Sequence, residues 1–144
     1  MPVKTLFFDD VRAGTEITPL VKPITLLKMN MYSAATWNFY KIHWDTVFSR
    51  ELGFKDANVH GPLFGAFLSQ MLTDWIGPDG TLKRLAYSNR GMSFPGDTLT
   101  CKGKVARKHT KDGQNLVECE VWVENQKGEN LAPGTATVAL PSKR

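Results

Sequence analysis

The residues of this 144-residue chain that are best suited to proton transfer lie in two short stretches. The first is rich in aromatic residues and holds Asn38 and, five residues later, His43, and the second holds His60-Gly61. His43 is a candidate acid/base, because an imidazole ordinarily has a pKa of about 6.5 and exchanges protons near neutral pH. Asn38 does not ionise, but its amide accepts and donates hydrogen bonds and can therefore orient a water molecule.

Gly61 is the candidate for holding a negatively charged oxygen. It opens a predicted helix, and helix N-termini carry unpaired N–H donors and about half a positive charge. A glycine at this position also lets a ligand approach the main chain closely. His60 either supports the start of this helix or lines the site. Tyr40, His60 and Pro62 are our candidates for contacts with the substrate.

Structural roles compete with these interpretations. A histidine taken alone is more often structural than catalytic, but the combination of His43 with Asn38, Asp45 and His60-Gly61 favours catalysis. Asn38 could be a purely structural side chain. Asp45 is better explained as the N-cap of a short helix than as an acid. The two histidines have no third ligand at a suitable spacing, so we expect no metal site.

Alternating apolar and polar residues predict strands in the C-terminal half of the chain. The alternation is clearest in Leu116–Glu124, and similar segments flank it at Leu99–Val105 and Ala136–Leu140. A period of two is typical of a strand with one buried face. Polar turns that contain glycine separate the three segments, which predicts an antiparallel meander. We predict a further strand over Leu82–Phe94.

Helices are predicted in the middle of the chain. Gly61–Ile76 is apolar on nearly every side, so this helix must be buried. Two shorter helices are predicted at Leu26–Thr36 and near Asp45–Leu52. A twisted antiparallel sheet wrapped around the buried helix would cover the apolar surface of both. We therefore expect one α+β domain over residues 1–144.

The sequence resembles the MaoC-like hot-dog dehydratases and hydratases, which act on 3-hydroxyacyl or 2-enoyl thioesters. Their hydratase signature is an aspartate five residues before a histidine, usually a second aspartate two residues after it, and a His-Gly that opens the buried helix. His43, Asp45 and His60-Gly61 match this pattern, whereas Asn38 stands where most members have aspartate. The resemblance implies a single hot-dog fold, an antiparallel sheet wrapped around a central helix.

A narrower resemblance concerns the hydratases of the mesaconyl-CoA and itaconyl-CoA type, which tend to share the segments Thr36–His43 and Val59–Leu63. It implies hydration of a short or branched acyl-CoA, carboxylated ones included. His43 would then be the main acid/base, Asn38 would position water, and the Gly61 amide would hold the thioester oxygen. Coenzyme A would enter as part of the substrate, so we expect no separate cofactor.

The resemblance also bears on partners. Family members pair two domains into one continuous sheet, which removes an exposed edge and implies a homodimer or a dimer-based oligomer. Asn38 in place of aspartate leaves a second hypothesis open, an inactive hot-dog subunit that completes the tunnel of a partner hydratase. A thioesterase is a third, because the same fold serves that reaction.

Composition excludes several other classes of protein. The net charge is +4, but the lysines and arginines are scattered, so we expect no nucleic-acid partner. Neither a signal peptide nor an apolar run of about 18 residues occurs, and we expect a cytoplasmic protein without a membrane segment. Cys101 and Cys119 lack the spacing of a metal site or a disulfide framework and are expected to be buried thiols.

Overall fold

The strands of the protein form one antiparallel sheet. The computed structural model describes residues 4–143. In chain order the strands are β1 (Glu16–Pro23), β2 (Thr81–Tyr87), β3 (Thr98–Lys111), β4 (Gln114–Glu124) and β5 (Asn130–Ala139). Their order across the sheet is β1-β3-β4-β5-β2. The predicted meander is confirmed, because β4 pairs with both β3 and β5 in antiparallel register.

Three helices lie between β1 and β2, and all three were predicted. They are α1 (Leu26–Thr36), α2 (Thr46–Glu51) and α3 (Gly61–Ile76). The predicted N-cap role of Asp45 is confirmed, because its Oδ1 accepts a hydrogen bond from the N–H of Phe48 at 3.0 Å. Within residues 4–143, no helix combines the length and the apolar character that a membrane crossing requires.

The sheet and α3 share one hydrophobic core. Leu68, Met71 and Leu72 of α3 are at most 1% exposed, because the sheet packs against this helix. Alternate residues of the central strand β4 point into the same core, as the period of two predicted. Cys101 and Cys119 are buried and free, as predicted. The arrangement is the expected α+β hot-dog architecture, a five-stranded antiparallel sheet around a central helix.

The predicted strand over Leu82–Phe94 is wrong in its second half, because β2 ends at Tyr87. Beyond that residue the N–H groups of Arg90 and Gly91 both donate to the carbonyl of Leu131, which breaks the regular ladder. The carbonyl of Ser93 then accepts the N–H of Val59, so the segment pairs with the loop before α3 instead. The end of β2 is therefore brought next to the start of α3.

From its place in the polar segment that leads into the turn after β3, we expect His109 to be exposed, and this expectation is wrong because the residue is half-buried. The residue lies inside β3, which extends to Lys111, and it pairs with Leu116 of β4. Its ring is half-buried, and its Nδ1 is enclosed without a hydrogen-bond partner in the described part of the chain. The alternation that marks β3 is clear only up to Val105, so the pattern gave no sign that His109 is partly buried, although the turn itself lies where it was predicted, at Asp112-Gly113.

Candidate functional site

His43 is held by a main-chain hydrogen bond that leaves one ring nitrogen free. It ends a short 3-10 turn, Lys41–His43, between α1 and α2. Its Nδ1 lies 2.8 Å from the carbonyl oxygen of Asn58. Because a carbonyl only accepts, Nδ1 carries a proton, and in the neutral ring the lone pair is therefore on Nε2. Nε2 has no hydrogen-bond partner within residues 4–143, and the residue is half-buried rather than enclosed.

His60 lies directly behind His43 and is fully buried, with 0% of its surface exposed. The two imidazole rings stack, with centroids 3.9 Å apart and planes 20° from parallel. His60 also makes a 2.8 Å hydrogen bond between its Nε2 and the Oγ of Ser33, and an edge contact with the ring of Tyr32. The stack fixes one face of the His43 ring.

Burial is the main reason that the pKa of His60 falls from 6.5 to about 4. The positive charge that His43 can carry lowers the pKa further, and a weaker interaction with the main chain of Asn38 raises it. His60 is therefore neutral at pH 7, and it does not take up a proton alongside His43.

A cavity of about 220 Å³ joins His43 to the start of α3. Its walls are mostly apolar, and the polar side chains among the lining residues are those of His43, Asn58 and Asn89. The N–H of Gly61 donates to no acceptor in residues 4–143. The cavity is therefore lined by a histidine that can accept a proton and by a helix N-terminal residue with an unpaired N–H donor. A donor of this kind can stabilise a developing oxyanion.

Other predicted site residues lie outside this cavity wall. Asn38 follows the end of α1, where its N–H donates to the carbonyl of Ser33 at 3.0 Å and its Oδ1 accepts a long 3.4 Å bond from Tyr40. Tyr40 is 56% exposed and contacts the His43 ring edge-on, with centroids 6.2 Å apart. Pro62 is exposed in the first turn of α3. The catalytic role of Asn38 and the substrate contacts of Tyr40, His60 and Pro62 stay predictions.

Three residues next to the predicted site were not among the residues predicted from the sequence. Asn58 holds His43 through its carbonyl, Ser33 binds His60, and the side-chain nitrogen of Asn89 lies over Gly61. A Cβ added at Gly61 would lie 2.3 Å from Asn89 Nδ2. Nothing in the local pattern marks these residues, because each reaches the site through a contact that joins distant parts of the sequence.

Comparison with protein-family models identifies one match. The model described as hydroxyacyl-thioester dehydratase type 2 matches residues 10–95, which is more than half of the chain. No curated protein matches the sequence.

Solved structures that resemble the chain share its fold. The R-hydratase PhaJ1 from Pseudomonas aeruginosa, in its unliganded form, superposes with a TM-score of 0.87 and 21% identity, over 96% of this chain and 88% of that one. For a MaoC-like dehydratase from Rhodospirillum rubrum the TM-score is 0.83 and the identity 19%, over 96% and 99%. For the ChsH1–ChsH2 complex from Mycobacterium tuberculosis the TM-score is 0.78 and the identity 23%, over 89% and 97%. These likenesses show a hot-dog fold.

Proposed function

The chain belongs to the hydroxyacyl-thioester dehydratase type 2 family, and from this membership we propose that it hydrates a 2-enoyl-CoA and, in reverse, dehydrates the 3-hydroxyacyl-CoA. The observation that carries the proposal is the shared cavity, which is lined both by His43, whose Nε2 is free, and by Gly61, whose N–H is unpaired. Hydration of a conjugated thioester needs a base for water and a donor for the thioester oxygen, and these two groups supply them.

In the proposed reaction, His43 Nε2 takes a proton from water as the water oxygen forms a bond to C3 of the enoyl group. The C2=C3 electron pair moves towards the thioester carbonyl, whose oxygen becomes negatively charged and is held by the Gly61 N–H. The enolate then collapses and takes a proton at C2, which the protonated His43 can return. Water is added across the double bond, and no thioester bond is broken.

Asn38 is proposed to orient the attacking water in place of the usual carboxylate. Its amide is only weakly engaged, by the 3.4 Å bond from the Tyr40 N–H to its Oδ1. The resemblance of Thr36–His43 to hydratases of the mesaconyl-CoA and itaconyl-CoA type supports a short or branched acyl-CoA as the substrate. Tyr40 and Pro62 are proposed to contact this substrate, because they lie close in sequence to His43 and Gly61.

A second subunit is proposed to complete the site. The cavity of about 220 Å³ is smaller than the roughly 300–1,000 Å³ that is usual for small-molecule sites. The strands β1 and β2 form the two edges of the sheet in the described chain and can pair with another copy. A homodimer is the simplest arrangement. Because one of the similar structures is a complex of ChsH1 with ChsH2, a different hot-dog chain is the alternative partner.

The test is an assay of the purified protein with crotonyl-CoA and mesaconyl-CoA. Hydration removes the ultraviolet absorbance of the enoyl thioester and releases no thiol, so a colorimetric thiol reagent is run in parallel. Loss of absorbance without thiol supports the proposal. Stoichiometric thiol release would instead identify a thioesterase. Activity that appears only after an aspartate-bearing hot-dog chain is added would identify an inactive subunit, and both of these results contradict the proposal.

A further inference from the structure

Ser33 and His60 form a buried polar pair that the proposed reaction does not use directly. Ser33 is 1% exposed and His60 is 0% exposed. Ser33 Oγ and His60 Nε2 lie 2.8 Å apart, across 27 residues of sequence, and this bond ties α1 to the residue that precedes α3. Neither residue is on the wall of the cavity that holds His43 and Gly61.

The buried imidazole of His60 destabilises the fold more than an apolar ring of similar size would at the same place. Apart from the weak interaction of the ring with the main chain of Asn38, Nδ1 of His60 is buried without a hydrogen-bond partner in the described residues, and such a group is destabilising. A phenylalanine could stack on His43 without that cost. Unlike phenylalanine, the imidazole can form the hydrogen bond to Ser33. This bond restrains the side-chain torsions of His60 and so fixes the orientation of its ring.

That fixed ring is the surface on which His43 lies. With centroids 3.9 Å apart and planes only 20° from parallel, the two rings are in contact, so a tilt of either ring presses on the other. The opposite restraint on His43 is the 2.8 Å bond from its Nδ1 to the carbonyl of Asn58, which restrains one edge but leaves the ring free to tilt about that bond. Stacking removes the remaining freedom.

We propose that Ser33 and His60 are positioning residues, which hold the imidazole of His43 at the tilt that presents Nε2 to the cavity. The expected effect on kcat rests on the proposed hydratase function, whereas the expected effect on the placement of the His43 ring does not. A base must lie within hydrogen-bond reach of the proton that it removes, and a displacement of about 1 Å can cost about 100-fold in rate. Loss of the Ser33 bond therefore lowers kcat more than it weakens substrate binding.

The kinetic test compares three serine variants in crotonyl-CoA hydration. We expect Ser33→Ala to lower kcat about tenfold with KM within about twofold of wild type, because ring placement is disturbed and binding is not. Ser33→Thr keeps the hydroxyl and is expected to recover most of the lost kcat. Ser93→Ala is the matched control, since Ser93 is also 0% exposed and donates a 3.1 Å hydrogen bond, to Asp97. Equal losses in Ser33→Ala and Ser93→Ala would overturn the proposal.

The structural test needs no activity. In protein labelled with ¹⁵N-histidine, we expect Ser33→Ala to shift and broaden the ring nitrogen signals of His43, although residue 33 makes no hydrogen bond to that ring. Ser93→Ala should leave them unchanged. Unchanged His43 signals in Ser33→Ala would refute positioning. If the wild type hydrates no enoyl-CoA, the proposed function fails, while these spectra still decide whether the pair places His43.

Discussion

Replacing Gly61 by alanine should separate activity from stability. The new Cβ would lie 2.3 Å from Nδ2 and 3.1 Å from Cγ of Asn89, both of which are too close. Asn89 is exposed and makes no side-chain hydrogen bond in the described part of the chain, so it can swing aside at little cost. Alanine is also the better helix former, by up to about 1 kcal/mol. We therefore expect the free energy of unfolding to change by less than about 1 kcal/mol.

Activity should respond differently, because the methyl group enters the cavity beside the N–H that is proposed to hold the thioester oxygen. Alanine keeps the N–H, so the loss arises because the methyl group hinders the thioester oxygen from reaching this donor; losing the contact with one oxyanion donor typically costs about 10²–10³ in rate, or about 2.7–4 kcal/mol. We expect Gly61→Ala to lower kcat/KM for crotonyl-CoA about 100-fold. Adding Asn89→Ala to this variant relieves the contact with the side chain but not the obstruction of the cavity, so the double variant should stay slow.

Gly65→Ala in the same helix is the matched control. There the added Cβ would lie 2.5 Å from the ring of Tyr87, in the packed interior between α3 and β2. Overpacking of this kind typically costs about 1–3 kcal/mol, so this variant should lose stability in urea unfolding. The reasoning is refuted if Gly61→Ala folds normally and keeps kcat/KM within about twofold of wild type, because the cavity would then not contain the reacting thioester.

Three further predictions concern ionisation and reactivity. Asn38→Asp restores the usual carboxylate and should raise crotonyl-CoA hydration, and a sharp fall would show that the amide has its own role. The pKa of His60 is about 4 folded and 6.5 unfolded, so its contribution to stability is complete above pH 6.5 and is lost as the pH falls towards 4. Urea unfolding should therefore show about 2 kcal/mol less stability from this group at pH 5 than at pH 7, and His60→Phe should abolish that part of the dependence. Burial raises the pKa of both Cys101 and Cys119 to about 12, so a thiol reagent at pH 8 should label them only after denaturation, and rapid labelling of the native protein would contradict their burial.

Much of the fold could be predicted from local patterns. The apolar residues on nearly every side of Gly61–Ile76 predicted a buried helix, and the alternation around Val121 predicted a strand with one buried face. Both patterns reflect burial, and each can be read from the residues of the segment itself. The predicted end of β2 was wrong, because the true end depends on Leu131 in another strand. The carbonyl of Leu131 accepts hydrogen bonds from two N–H groups.

The site was predictable only where its residues are adjacent in sequence or resemble a known motif. His43 and Gly61 were selected by type and context, and they do line one cavity. Ser33, Asn58 and Asn89 were missed, because their contribution arises from contacts made by the fold, such as the carbonyl of Asn58 on His43. No spacing rule identifies a main-chain carbonyl as a partner of a distant imidazole.

The most direct test of the central claim is the rate of crotonyl-CoA hydration by the His43→Gln variant. The control is His109→Gln, because His109 is also a half-buried histidine. Glutamine keeps a polar side chain but cannot exchange a proton near neutral pH, and general acid–base catalysis is worth about 10²–10⁴-fold. We predict that kcat falls by at least about 100-fold in His43→Gln and stays near wild type in His109→Gln. A His43→Gln protein that folds normally and hydrates crotonyl-CoA at the wild-type rate would contradict the account.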